Sequence, residues 1–310
     1  MNNNMDRMKE LIDILNSASK AYYQEDREIM SDFEYDKLYD ELTVLEKSTG
    51  IILSSSPTQK VGHQVLSSLK KVPHESRMLS LDKTKDVNAL KSFLGDHKGI
   101  LSYKMDGLTV VLTYNNGELA QAVTRGNGEI GENITHNARF FRNIPLKIDF
   151  KEELVLRGEA VISFKDFRII NEDLPPEDKY KNPRNLCSGT VRQLNSEISA
   201  KRNVNFIAFA LFKAEGKDFG DDKNERFAWL ESMGFECVER KEVTSDNIEA
   251  AVREFEDKIP HNPYATDGLV LTFSSVEYSE SLGTTAKFPR DSIAFKWADE
   301  VKETRLKEIE

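Results

Sequence analysis

The stretch ILSYKMDGLTVVLTYNNGEL, residues 100–119, decides the fold class. Residues 100–105 and 108–114 are rich in β-formers, and Asn116-Gly117, between Tyr114 and Leu119, is the dipeptide of a tight hairpin turn. Two strands joined this way run antiparallel. Working outward, further strands are predicted at 153–162, 205–212, 269–273 and 292–297, and helices at 164–174, 223–233 and 247–258. Strands that arrive as hairpins and are then separated by helices predict an α+β domain built on antiparallel sheets.

Upstream, the pattern is helical. Met8, Leu11, Ile12 and Leu15 recur at steps of three and four, and Tyr22 continues the stripe. Ser31 followed by Glu34 matches a capping box, with Tyr35, Leu38, Tyr39, Leu42 and Leu45 forming the apolar face behind it. The two helices predict a small hairpin ending near Gly50. Residues 54–62, opening Ser54-Ser55-Ser56-Pro57, have linker chemistry, so a helical subdomain with its linker is expected at 1–62 and a catalytic domain at 63–310.

Composition narrows the function classes. Hydrophobic residues make up 39% of the 310 and charged residues 31%, and no apolar run approaches the roughly 18 residues of a membrane span. The opening residues 1–9 lack an apolar signal-peptide segment, so a soluble cytoplasmic protein is expected. Cys187 and Cys237 lie far apart without a CxxC partner, which supports neither a disulfide framework nor a zinc site. The net charge of -10 argues against a chain that grips nucleic acid tightly by itself. No Gly-rich strand-turn-helix of the dinucleotide-binding or P-loop type is present.

Five short stretches carry the chemistry. Lys104-Met105-Asp106-Gly107 sits between two predicted strands; alone, it reads as an ordinary Asp-Gly turn beside a solvated lysine. Arg125-Gly126-Asn127-Gly128 follows the hairpin, where glycines permit close backbone approach and the arginine can fork onto a phosphate or ribose. Arg157-Gly158-Glu159 is embedded in a strand, where charges cost several kcal/mol unless paired or used. Thr266-Asp267-Gly268-Leu269-Val270-Leu271 places an acid at the mouth of a buried strand, and Ala294-Phe295-Lys296-Trp297 flanks a lysine with apolar bulk. The bland alternatives are a plain turn, a structural ion pair and a snorkelling lysine.

In order and spacing, KxDG, RGE, DGLVL and AFKW resemble the motif series of the covalent nucleotidyltransferases, which comprise DNA ligases, RNA ligases and mRNA capping enzymes. Ser56-Pro57-Thr58-Gln59-Lys60-Val61-Gly62, the run from His74 to Asp82, the run from Thr124 to Arg139, and Asn182-Pro183-Arg184-Asn185 through Arg192-Gln193-Leu194 are similar to bacterial NAD-dependent DNA ligases, over essentially the whole chain. That resemblance implies a nucleotidyltransferase (ATP-grasp-like ligase) domain of antiparallel sheets flanked by helices, preceded by a helical subdomain for the nicotinamide mononucleotide half of NAD. Tyr22, Asp32, Tyr35 and Asp36 would hold that half, tyrosine faces stacking on the pyridinium and carboxylates binding ribose hydroxyls.

The same resemblance implies that Lys104 attacks the α-phosphorus of NAD, forming a phosphoramidate to AMP and expelling nicotinamide mononucleotide. Asp106 would orient the amine or accept from it. Lys296, Arg184 and Arg192 would be the nearby cations that ease its deprotonation and stabilise charge on the phosphate. Arg125 and Glu159 would bind the adenosine ribose, Ser80 and Leu81 would line the purine pocket with Ser102 nearby, and Asp267 would be a metal or network residue. Mg2+ is implied alongside NAD.

Three positions depart from the family pattern. Ser102 stands where an acid is usual, Thr272 where a lysine closes DGxVxK, and Asn127 where RGDG has its acid. The family's OB-fold, zinc, helix-hairpin-helix and C-terminal domains have no counterpart in these 310 residues. Self-adenylation with little or no nick sealing is therefore expected, with nicked duplex DNA as a partner of the full-length enzyme, weak DNA binding here, and a monomer. The alternatives are an ATP- or GTP-dependent RNA ligase or capping-type enzyme, and an inactive nucleotide-binding module.

Overall fold

The computed structural model describes residues 2–25, 29–59 and 68–297, and side chains throughout these except at 2, 3, 20–25, 32 and 33. It divides into two compact units. The larger comprises 1–79, 105–239 and 260–265, and the smaller 80–104, 240–259 and 266–310. The chain passes between them five times, once between Lys104 and Met105.

The helical hairpin belongs to the larger unit. Helices Asn2–Glu25 and Asp32–Thr49 bury Met8, Leu11, Ile12, Leu15 and Leu42 between them. The second begins as the sequence predicts: Ser31 Oγ accepts from the Glu34 amide, and the Glu34 carboxylate accepts from the Ser31 amide at 3.1 Å. The segment with linker chemistry is tied down at its start. The buried Glu46 carboxylate accepts from Ser56 Oγ at 2.5 Å and from Thr58 Oγ1 at 2.7 Å, and the short strand Ile52–Leu53 joins a sheet edge.

That sheet has six strands in the order Ile52–Leu53, Pro145–Lys147, Glu118–Thr124, Leu108–Asn115, Leu154–Val161, Asn205–Ala214. Every pairing in it is antiparallel. The predicted turn is present, with Asn116 and Gly117 both at positive φ, as a type I′ connection requires. One face is apolar. Val110, Leu112, Tyr114, Leu154, Leu156 and Ala160 point into the core, together with Phe141, Leu186 and Phe206. Because alternate residues take opposite faces, Thr109, Val111, Thr113, Val155, Arg157 and Glu159 fall on the other face. A two-stranded strap, Lys71–Pro73 with Ile130–Glu132, completes the unit.

The smaller unit is a five-stranded sheet in the order Arg240–Val243, Gly99–Met105, Thr266–Phe273, Ser292–Phe295, Asp82–Thr84. Ser292–Phe295 and Asp82–Thr84 run parallel at one edge of this sheet. These strands lie some 200 residues apart in the chain, so no hairpin signal could have given their relative direction. The helices Val87–Leu94, Pro183–Val191 and Val276–Leu282 were also not predicted; each is about two turns long, too short for periodicity to declare itself.

Replacing Ser31 by Ala is expected to destabilise the second helix by about 1 kcal/mol. Amide exchange in its first turn should accelerate severalfold, while amides of the six-stranded sheet keep their protection.

Candidate active site

The candidate residues divide between the two units. In the smaller unit, Lys104 comes near the end of the strand Gly99–Met105, on the same face as Ser102 two residues earlier. Its Nζ donates to Asp267 Oδ2 at 2.9 Å. Lys296, just past the strand Ser292–Phe295, donates through Nζ to the other oxygen, Oδ1, at 2.8 Å. One carboxylate thus holds two ammonium groups, with all three side chains about one-third exposed. Burial would raise the Asp267 pKa, but the hydrogen bonds from Lys296 and Lys104 outweigh it and hold the group below its ordinary value.

Local backbone explains this placement. Gly268 has φ +136, and a Cβ there would stand 2.1 Å from the Phe295 carbonyl oxygen. Only glycine lets the strand carrying Asp267 lie that close to the strand leading to Lys296. Leu269 pairs with Phe295 and Thr272 with Ser292, whose hydroxyl donates to Thr272 Oγ1 at 3.0 Å. Ser80 is exposed and Leu81 half-buried, just before the strand Asp82–Thr84.

In the larger unit, Glu159 is 9% exposed. Its carboxylate accepts from the Gly107 amide at 3.2 Å and from Thr109 Oγ1 at 2.9 Å. Gly107 is forced here too, because a Cβ would sit 2.0 Å from the Ala160 carbonyl oxygen. Arg125 donates its amide to Thr109 O at 2.9 Å, and its carbonyl oxygen lies 3.1 Å from His74 Nε2. Asp106 accepts from Arg184 Nη1 at 2.6 Å, and Arg192 forks onto Glu132 at 2.5 and 2.9 Å.

The acceptor for Lys104 is Asp267, whereas Asp106, beyond the end of that strand, is matched by Arg184. Of the three expected cations, Lys296 shares a carboxylate with Lys104, while Arg184 and Arg192 are each engaged by a carboxylate of their own.

In the helical hairpin, the Tyr35 hydroxyl lies 3.0 Å from Ser19 Oγ, its ring stacks on Tyr39 with centroids 6.3 Å apart, and Asp36 is exposed. The side chains of Tyr22 and Asp32 lie outside the described residues. Sequence reasoning missed Thr109, which alternation places on the polar face beside Glu159.

Residues 66–300 match the NAD-dependent DNA ligase adenylation domain, and residues 1–62 match the DNA ligase-like, N-terminal NAD+-binding domain. The chain belongs to the NAD-dependent DNA ligase adenylation domain family. It is 58% identical over 305 residues to a DNA ligase of Lachnoclostridium phytofermentans, covering 98% of this chain and 47% of that protein. A DNA ligase of Ruminiclostridium cellulolyticum is 57% identical, with 98% and 46% covered, and one of Clostridioides difficile is 34% identical, with 98% and 47% covered. The chain spans about half the length of these relatives. An NAD+-binding domain beside the adenylation domain does not favour the ATP- or GTP-dependent alternative.

Two outcomes follow from this geometry. Asp267→Asn should lower stability near neutral pH. Because the folded-state pKa of Asp267 lies below its ordinary 3.8, its contribution is complete above that value and lost as pH falls through the folded pKa. The gap in Tm between the two proteins should therefore close on acidification below pH 3.8. Gly107→Ala should displace the Ala160 carbonyl and the Glu159 carboxylate, cutting adenylation while leaving a folded protein by circular dichroism.

Proposed function

We propose that Lys104 Nζ attacks the α-phosphorus of NAD. An Nζ–P bond forms, the P–O bond of the pyrophosphate breaks, and nicotinamide mononucleotide leaves with that oxygen. The observation that carries this reading is the pair of hydrogen bonds from Lys104 and Lys296 to the two oxygens of Asp267, inside the region matching the adenylation domain. An ammonium has no lone pair, so Lys104, whose side chain is part-exposed, must give up a proton to solvent water before attack. Asp267 aims the amine and stays ionised between its two lysine partners, which makes it an orienting anion rather than the final proton acceptor. Lys296 keeps a positive charge where the phosphate gains negative charge.

Arg125 and Glu159 are assigned to the adenosine ribose, Ser80, Leu81 and Ser102 to the purine, and Tyr22, Asp32, Tyr35 and Asp36 to the nicotinamide mononucleotide half. Magnesium, which the family implies, does not fit a protein-only cage. Among the described residues no group of three or more His, Cys, Asp or Glu could hold a metal. Mg2+ is commonly held by one or two carboxylates with water and substrate phosphates, so its ligands would come largely from the dinucleotide. In the full-length protein, AMP would pass to the 5′-phosphate of a DNA nick in replication and repair. A net charge of -10 supports only weak DNA binding by these residues. A cytoplasmic monomer completes the reading; among the described residues no helix is long and apolar enough to cross a membrane.

Intact mass decides the matter. After incubation with NAD and Mg2+, the protein should gain one adenylyl group, ATP should give none, and Lys104→Ala should gain none from either. Adduct formation from ATP and not NAD, or on Lys104→Ala, would overturn the proposal.

A further inference from the structure

Among the described residues, Arg157 of the larger unit forms no ion pair. Arg157 lies on the same face of the strand Leu154–Val161 as Glu159, two residues before it. Its side chain makes one hydrogen bond among the described residues, Nη2 to Ser76 Oγ at 2.6 Å, and no ion pair. Its Nε is fully buried without an acceptor. The guanidinium lies over the Phe212 ring, 4.5 Å from the centroid, which fixes its plane. Burial lowers the Arg157 pKa, and no carboxylate offsets it. Arg157 is half-buried, so its charge is partly withdrawn from water without a counter-ion among the described residues.

The side chain lines a cavity of about 330 Å³ between the strap segment at 72–76 and the sheet face carrying Val111, Val123 and Val155. Phe212, 40% exposed, forms part of the wall. Two acids share the lining, but the Glu153 carboxylate is taken by Lys213 Nζ, and Glu75 also lies in the field of that ammonium. Neither neutralises Arg157.

We propose that this cavity is an oxyanion site in which Arg157, held flat by Phe212 and Ser76, receives a phosphate group. A planar guanidinium with N–H groups not taken by protein acceptors suits tetrahedral oxyanions. The phosphate could come from a free small molecule or from the backbone of DNA; the chemistry is the same, and competition separates the sources. The site does not depend on Lys104.

The test is titration of the full 310-residue protein with inorganic phosphate, followed by 31P line broadening. Wild type should bind. Arg157→Leu should weaken binding at least tenfold, and Arg157→Lys, which keeps the charge but loses the fork, should weaken it less. Lys104→Ala should bind as wild type does, so a failure of the adenylation reading leaves this result intact and the reverse also holds. Circular dichroism checks the fold, and if Arg157→Leu does not fold, Arg157→Lys and Phe212→Ala serve instead, each expected to weaken binding. Displacement of phosphate by a nicked duplex assigns the source to the DNA backbone, and retention assigns it to a small molecule. Binding unchanged in folded Arg157 and Phe212 variants, or none in wild type up to tens of millimolar, overturns the proposal.

Discussion

One carboxylate between two ammonium groups organises the smaller unit. Two lysine amines repel each other unless an anion lies between them, and Asp267 supplies it with one oxygen for each. The hydrogen bonds carry directional information as well as charge. Because each lysine is bound to a different oxygen, the two amines are held at separate ends of the carboxylate. The strand carrying Asp267 can take that position only because Gly268 removes the Cβ that would strike the Phe295 carbonyl. The glycine in Asp-Gly is thus as much a requirement of the site as the acid before it.

The larger unit repeats the device. Gly107 follows Asp106 with no room for a Cβ against Ala160, and this close approach lets its amide reach the Glu159 carboxylate. Thr109 supplies a second donor to the same group. A buried carboxylate with two donors is fixed in direction, which suits a group proposed to bind a sugar hydroxyl. In both units the Asp-Gly pairs serve packing and chemistry together.

Much of this was legible in the sequence. The hairpin at Asn116-Gly117, the capping box at Ser31 and Glu34, and the α+β class follow from local rules of turn chemistry and capping, so residue patterns alone reach them. The ordered motifs supplied the family, and the adenylation and NAD+-binding domain matches agree with it. What stayed hidden depends on residues distant in the chain. The parallel pairing of Asp82–Thr84 with Ser292–Phe295 has no local signal. The resemblance paired Lys104 with Asp106, whereas the fold gives the lysine an acid 163 residues away and the aspartate an arginine 78 residues away.

The central claim is that the Lys104 amine, aimed by Asp267, takes the adenylyl group of NAD. Peptide mapping by mass spectrometry after a single turnover with NAD labelled in its adenine measures this most directly. The account predicts label on the peptide carrying Lys104 and on no other, with free nicotinamide mononucleotide in equal amount. Label on a different lysine, or mononucleotide release without any labelled peptide, would contradict it.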